Sequence, residues 1–588
     1  MSLKDIISPF NAWKRAFEKP DTIVKPLSER DGADLYRGFH TNDIEKCIGC
    51  GSCEEICQNA SIDLVDVASI QAKSGDSGLR PLIDYGRCCW CALCVDICPT
   101  GSLKMSNDYT WVTDDSDAFR FIPGVDKKKW DNSEKGYKSF KEAWLVNPNR
   151  EHASEKAPDI RKHDFDEYAE GFSDEQALVE AGRCLECGIC IQACPTHMDI
   201  PKYISAIRKG NLEEGLRIMY ETNPMLEACG RICTAKCEDV CAVGHNGKPI
   251  AIRSLKRYIG DKTFRKKDEI MDLKPVQQTG KKVGIIGGGP AGLTAAFYLR
   301  RLGHAVTIYE QHDKLGGMLK WGIPDYRLPA DVLQREIDFI IRQGIDVKYN
   351  VKIGKDISFD QLHKDNDAVF IGVGAQIGSD MPIRGMDTEG VYSGVEFLEK
   401  VSKGEKPFVG KYAVVVGGGN TSIDAARSSI RLGANAKILY RRTEQEMPAN
   451  REEIREAKEE GADLMILSTP TKIEKLPSGG LKIECLKMEL GEPDSSGRRR
   501  PVPKEGSEFY IEADVCIMAV GQKVEPEFSE SIGLKVTKWG TFEVHSDTLR
   551  SNDKVFAGGD CQTGPDDAIR AVAAGKTAAY FIDKQFKG

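Results

Sequence analysis

From Lys281 onward the chain twice repeats one arrangement of apolar and polar positions. The stretches KKVGIIGGGPAGLTAAFYLRRLG and KYAVVVGGGNTSIDAARSSIRLG each open on an apolar, β-rich run, turn on glycine, and continue as an alanine-rich helix. An unbroken apolar run suits a strand buried on both faces, and the helix after it must cross back over the sheet, so each copy predicts a parallel βαβ unit. The second half therefore contains an internal duplication. Upstream the pattern changes. IPKYISAIRKGNLEEGLRIMYETNP sets Tyr203, Ile204, Ile207, Leu212, Leu216 and Met219 near one helical face and predicts a small helical domain. The charged stretch from WVTDDSDAFRF to DKKKWDNSEKGYKSF reads as a linker or wrapping segment, and Phe10, Trp13 and Phe17 line up as one amphipathic face suited to docking.

At 588 residues the chain exceeds one core, and ~150 residues per domain gives roughly four. A net charge of -8 offers no basic footprint for nucleic acid. No run of ~18 apolar residues predicts a bilayer span, and the first residues lack the apolar core of a signal peptide, so the expectation is a cytoplasmic protein. Of the 20 cysteines, sixteen fall into four tightly spaced quartets, which points to metal rather than to a disulfide scaffold.

CIGCGSCEEIC supplies Cys47, Cys50, Cys53 and Cys57, and CCWCALCVDICP supplies Cys88, Cys91, Cys94 and Cys98. Both follow C-x2-C-x2-C-x3-C, in which three thiolates wrap one 4Fe-4S cube and the fourth ligates the other. The expected sets are Cys47, Cys50, Cys53 and Cys98, and Cys88, Cys91, Cys94 and Cys57, with Cys89 spare. Zinc sites favour separated C-x2-C pairs instead. This region resembles the two-cluster ferredoxin module, in the version found as an electron-wire subunit of respiratory complex I and related hydrogenases, over about residues 10–115. Gln58 departs from the proline that follows Cys98 in the other quartet.

CLECGICIQACP gives Cys184, Cys187, Cys190 and Cys194, and CGRICTAKCEDVC gives Cys229, Cys233, Cys237 and Cys241, whose spacing by four predicts one helical or turn-like stripe. With GKPIAIRSLKRYI after them, these resemble the N-terminal iron-sulfur domain of the glutamate synthase small subunit and of dihydropyrimidine dehydrogenase. The resemblance implies one cluster on Cys184, Cys187, Cys190 and Cys241, and another on Cys194, Cys233 and Cys237. Its fourth ligand stays open: Lys256 cannot serve readily, and Cys229 is available.

The first glycine turn carries Gly287, Gly289 and Gly292, and Glu310 ends the next strand 23 positions after Gly287. This is a dinucleotide fingerprint: a tight turn, a helix N-terminus for the pyrophosphate and an acid for the ribose diol. The second turn has Gly417 and Gly419 with Ser422 third, and Arg441 and Arg442 stand where Glu310 stood, which suits the 2'-phosphate of NADP. The C-terminal VFAGGDCQTGPDDAIRAVAAGKTAAYFI resembles the closing element of the FAD domain in two-dinucleotide flavoproteins, which implies that Asp560 binds the flavin's ribityl or phosphate end. The GGMLKWGIPDYRLP stretch, starting at Gly316, and VFIGVGA match the glutamate synthase small-subunit family, and the resemblance spans about residues 175–585.

The expected fold is a multidomain α/β chain: a docking segment at 1–40, a ferredoxin-like α+β module at 41–115, a linker at 116–174, a helical 4Fe-4S domain at 175–275, an FAD-binding domain at 281–395 and 516–588, and an NADP-binding domain at 396–515. Such a chain would be an NAD(P)H-dependent oxidoreductase passing electrons between NADP(H), FAD, up to four 4Fe-4S clusters and an external redox partner, a hydrogenase, formate dehydrogenase or ferredoxin. The cofactors carry the chemistry, so no catalytic side chain is assigned. Alternatives are an electron donor of the glutamate synthase small-subunit kind, the large subunit of an electron-bifurcating ferredoxin:NADP transhydrogenase, and a relay with vestigial nucleotide folds. A thioredoxin-reductase-like enzyme would need a C-x-x-C in the NADP domain, where only Cys485 and, at the border, Cys516 occur.

Overall fold

The computed structural model describes residues 13, 16–19, 25, 26, 30, 32–140, 145–271, 276–494 and 497–588. Phe10 lies outside these residues, while Trp13 and Phe17 are exposed. Contacts divide the chain into two compact units, residues 1–148 and 149–588.

In the first unit His40–Asn42 pairs antiparallel with Leu103–Met105, and a second antiparallel sheet runs Ile62–Asp66, Leu79–Asp84, Arg120–Phe121. Its core is aromatic: Phe39 stacks on Trp130 at 4.4 Å between centroids and Tyr85 on Phe121 at 4.9 Å. Phe121, Trp130 and Tyr137 all belong to this core, so residues assigned above to a linker complete the ferredoxin-like module.

The second unit opens with helices. The face predicted over 200–224 is split between Ile200–Arg208 and Leu212–Tyr220, because Gly210 takes φ +67° and reverses the chain. Residues 149–171 pack against the second nucleotide domain: Arg161 pairs with Glu155, Glu459 and Glu460, and the Tyr168 hydroxyl donates to Glu456 at 2.7 Å. Glu460 also receives Arg427 and Arg431.

Two five-stranded parallel sheets follow, alike in four neighbouring strands, with an edge strand that comes last along the chain in the first and first in the second. The first runs Val555–Ala557, Ala368–Ile371, Lys282–Ile286, Ala305–Tyr309, Asp346–Lys348, and the second Val391–Ser393, Val515–Met518, Tyr412–Val416, Asn435–Leu439, Asp463–Met465. Residues 516–518, assigned above to the FAD-binding domain, are therefore in the second sheet, where Val515–Met518 pairs with Tyr412–Val416; 391–393 join it from the other edge. The chain crosses between the domains through Ile377–Gly378 and Gln522–Lys523, paired antiparallel. A four-stranded antiparallel sheet, Ser468–Lys475, Leu481–Pro493, Arg499–Pro503 and Phe509–Ala513, is inserted in the second domain.

Candidate functional site

The cysteine loops share a backbone conformation that their sequences do not. In Cys47–Cys53 the second and fourth residues after the first cysteine are Gly49 and Gly51, at φ +58° and +78°. In Cys88–Cys94 the same places hold Trp90 and Ala92, at +58° and +69°, and in Cys184–Cys190 they hold Glu186 and Gly188, at +55° and +73°. A left-handed non-glycine residue costs about 1 kcal/mol or more, so Trp90, Ala92 and Glu186 are held there by what the loop must do. Successive turns of this kind aim backbone N–H groups inward, the arrangement that suits an anionic iron-sulfur centre.

The thiols group as the spacing predicts. Cys47, Cys50, Cys53 and Cys98 line one small cavity. Burial pushes the Cys53 thiol well up, and its sulfur neighbours Cys50, Cys94, Cys98 and Cys47 add to this. Cys88, Cys91 and Cys57 are the charged neighbours of Cys94. Cys89 is exposed.

In the second unit Cys241 is a neighbour of Cys184, Cys187 and Cys190, whose thiols burial pushes up, to about 12 for Cys184 and about 11 for Cys187. The single stripe expected of Cys229, Cys233, Cys237 and Cys241 does not form. The helix Leu226–Ile232 ends at Cys233, which is extended, and Ala235 at φ +54° turns the chain, so Cys241 joins one group while Cys237 neighbours Cys233 and Cys194, and Cys229 neighbours Cys233. Cys229 is 2% exposed, and burial pushes it to about 12. Lys256 is buried beside the same group: burial pulls its ammonium down, and Cys233, Cys229, Cys194 and Cys237 more than reverse this. The two helices meet closely, since a Cβ on Gly230 would lie 2.9 Å from the Arg257 Cα. Four thiols around one buried cation fit a cluster whose bound thiolates carry negative charge. Among the described residues no His, Cys, Asp or Glu group closes on a single metal ion.

The glycine turns superimpose in their bonding. Gly287 N–H donates to the Tyr309 carbonyl at 2.9 Å and Gly417 N–H to that of Leu439 at 3.0 Å. Gly287 has φ +97°, and a Cβ there would sit 2.7 Å from the Gly372 carbonyl oxygen. Glu310 accepts from Gly288 N–H at 2.8 Å and His312 N–H at 2.9 Å. It lines a cavity of about 590 Å³ with Gly287, Tyr309, Val373, Gly374 and Gln376. A second cavity, about 190 Å³, shares Val373, Gly374 and Gln376 with the first and adds Gly289, Gly317, Asp560, Thr421 and Gln522. Gly292 fits the helix start, where a Cβ would meet the Gly287 carbonyl, and Gly316 sits at φ +120° in the turn beside this cavity. A third cavity, about 530 Å³, shares Thr421 and Gln522 with the second and is lined by Gly417, Gly419, Arg441, Arg442 and Arg498. The three thus adjoin in series through shared walls. Ile232 and Thr234, on either side of Cys233, line the middle one.

The arginine pair divides. Arg442 is 6% exposed; its Nε donates to the Arg499 carbonyl at 2.8 Å and its guanidinium pairs with Asp494 at 2.8 Å. Arg441 is exposed on the cavity wall, and Arg498, from the inserted sheet, joins it there. Arg498 had no signal of its own in the sequence, since only the hairpin brings it to the turn. Ser422 takes the place of a third glycine, its hydroxyl donating to the Gly419 carbonyl at 2.6 Å. Cys485 and Cys516 are both fully buried, each pushed up to about 12 by burial, and neither reaches a nucleotide cavity.

Two nucleotide folds and cysteine loops of 4Fe-4S spacing define an iron-sulfur flavoprotein oxidoreductase. The chain belongs to the pyridine nucleotide-disulphide oxidoreductase family, whose model matches residues 281–575; dihydropyrimidine dehydrogenase domain II, 4Fe-4S cluster, matches 161–268 and the 4Fe-4S dicluster domain 46–102. It is 35% identical to AegA of Escherichia coli (strain K12), described as an oxidoreductase, across 92% of this chain and 85% of that protein. It is 38% identical to the glutamate synthase [NADPH] small chain of the same strain, across 71% of this chain and 93% of that one. With the NADP(+)-dependent formate dehydrogenase subunit beta of Moorella thermoacetica identity is 40%, over 68% of this chain and 60% of that subunit. No helix among the described residues is long and apolar enough to cross a membrane.

Proposed function

We propose that the chain is the NADP(H)-linked electron-transfer subunit of a larger redox assembly, exchanging electrons with a partner of the formate dehydrogenase or hydrogenase kind or with ferredoxin. The observation that carries this reading is the series of three cavities with the Cys233 loop on the wall of the middle one. When bound, nicotinamide supplies a hydride, flavin turns the pair into single electrons, and 4Fe-4S clusters carry them one at a time.

Each side chain has a binding role. The N-terminus of the helix Pro290–Arg301 receives the FAD pyrophosphate, Glu310 the ribose diol, and Asp560 the ribityl end. Gly417 and Gly419 admit the nicotinamide dinucleotide, and Arg441 with Arg498 receives its 2'-phosphate. Arg442 anchors the inserted hairpin through Asp494. The ligand sets are Cys47, Cys50, Cys53 and Cys98; Cys57, Cys88, Cys91 and Cys94; Cys184, Cys187, Cys190 and Cys241; and Cys194, Cys229, Cys233 and Cys237. Lys256 offsets the negative charge of the last set.

The subunit names of two of the relatives support the assembly, and the match to AegA, which takes in most of this chain, supports the ferredoxin-like module as part of the working unit. The test is anaerobic mixing of the iron-loaded, FAD-loaded protein with NADPH or NADH. NADPH is expected to bleach the flavin absorbance and then the broad cluster absorbance. Faster bleaching by NADH, or clusters that stay oxidised, would overturn the reading. Glutamate formation on adding a glutamate synthase large subunit would favour the small-chain alternative.

A further inference from the structure

The two halves of the ferredoxin-like unit repeat their sulfur contacts. Cys57 Sγ lies 3.0 Å from Ser61 Oγ, and Cys98 Sγ lies 3.4 Å from Ser102 Oγ, four residues on in both cases. The repeat is partial, since Cys50 Sγ lies 3.3 Å from Ser52 Oγ and Cys98 Sγ 3.7 Å from Thr100 Oγ1 with no hydroxyl at the matching place in the other half. One further contact comes from a ring nitrogen. His40 Nε2 lies 3.3 Å from Sγ of Cys94, the third cysteine of its loop. Among the described residues no side-chain donor reaches Cys53, the third cysteine of the other loop.

One hydroxyl decides where this imidazole holds its proton. Tyr85 Oη accepts the His40 backbone N–H at 2.9 Å and lies 2.9 Å from Nδ1. With an acceptor lobe turned to the backbone, the Tyr85 hydroxyl donates a hydrogen bond to Nδ1, and the ring's own hydrogen stays on Nε2. The other tautomer would set a bare lone pair against the sulfur and leave a buried hydroxyl without an acceptor. His40 is 1% exposed, and the register of His40 with Met105 fixes its backbone. Burial keeps the ring neutral, its pKa pushed down to about 3. Phe39 and Tyr85 pack on Trp90 at 5.0 and 5.1 Å and shield the contact from water.

We propose that His40 raises the reduction potential of one of the two clusters: its Nε2–H donates to the Cys94 sulfur and makes the cluster on Cys57, Cys88, Cys91 and Cys94 easier to reduce than it would be without the imidazole. This rests on the reading that both quartets hold 4Fe-4S clusters. An added electron is shared onto the ligand sulfurs, and an N–H dipole aimed at one of them in dry surroundings stabilises that charge. Ser61 and Ser102 bond alike on the two halves, while Ser52 and Thr100 add hydroxyl contacts to Cys50 and Cys98 of the other set. The effect of the imidazole falls on the cluster that His40 touches.

The experiment is an EPR-monitored redox titration of the full chain after anaerobic iron loading, with iron counted in every sample. His40→Leu should lower the reduction equilibrium constant of one cluster at least tenfold, about 59 mV for one electron, and leave the others in place. His40→Gln, which offers an amide N–H, should recover part of the shift. If His40→Leu fails to load iron, Tyr85→Phe decides, since it keeps the ring and frees the tautomer; a smaller drop in the same cluster is expected. Iron-replete variants with unmoved potentials would overturn the assignment of His40 alone. A wild-type chain that does not hold about eight irons in this unit would overturn the cluster reading and the proposal with it.

Discussion

The hydroxyl of Thr234 donates to Asp567 Oδ2 at 2.7 Å, joining the cysteine loop of the helical domain to the start of the C-terminal helix Ala568–Lys587. A second tie runs the other way, from Lys576 Nζ to the Thr196 carbonyl at 3.3 Å, two residues past Cys194. The first holds the Cys233 loop at the wall of the middle cavity, which Thr234 and Asp567 both line, and the second ties the Cys194 loop to the same helix. Thr234→Val keeps the shape and removes the bond, which costs about 1 kcal/mol. In stopped-flow mixing with NADPH, flavin bleaching should keep its rate while cluster bleaching slows several-fold. Equal slowing of both phases would show that the bond serves the flavin instead.

The two adjacent arginines should fail differently. Arg441→Ala removes an exposed guanidinium from the cavity wall and is expected to raise KM for NADPH about tenfold, the scale of a lost charged contact, with NADH use and melting temperature little changed. Arg442→Ala leaves Asp494 without its ion pair in a partly buried place and should cost about 1–3 kcal/mol of stability, read as a lower melting temperature. If Arg442→Ala instead spares stability and abolishes the NADPH preference, the phosphate site is misassigned.

How far the sequence could be read follows how local each feature is. The C-x2-C-x2-C loops and the glycine turns are short-range devices, so their spacing alone predicts the thiol groups of the ferredoxin-like unit and the paired nucleotide folds. The Cys229–Cys241 run reads as one stripe because its period is helical, but the helix stops at Cys233, and Cys237 is drawn to Cys194 and Cys241 to Cys184 by packing that the period does not encode. Arg442 lines the third cavity, and its ion pair with Asp494, 52 positions away on the inserted hairpin, is not legible from spacing. Segment 149–171 looked like a linker because its anchors are ion pairs to Glu459 and Glu460, not an apolar face.

Cys229 is the ligand on which the sequence stayed open, and iron counting decides it. Cys229→Ala should remove about a quarter of the iron, one of four clusters, or leave a labile cluster that loses iron on gel filtration. Cys89→Ala should change nothing, since that thiol is exposed and outside both groups. Lys256→Met should keep the iron but lower the potential of the same cluster, because it removes the buried positive charge. Full, stable iron in Cys229→Ala would return the fourth place to another ligand.

Asp560 carries a pH dependence whose sign the geometry sets. Burial pushes its carboxyl from 3.8 up to about 7, with Asp566 and Asp567 adding to it against a backbone N–H from Asp566. A raised folded-state pKa means that the native protein holds the proton longer than the unfolded chain does. The associated stability is present in full below about pH 4, falls as pH rises, and is gone above about pH 7. Without flavin, Asp560→Asn should therefore match the wild type near pH 4 and exceed it at pH 8 by about 1–3 kcal/mol, less than the full linkage because the site relaxes. Flavin hydroxyls donating to the carboxylate favour the charged form, so wild-type affinity for FAD should rise across the same window while that of Asp560→Asn stays flat and weaker. Melting temperatures at both pH values, with and without FAD, read all of these. A stability gap that does not change with pH would show that Asp560 keeps an ordinary pKa and that its place in the cavity has another purpose.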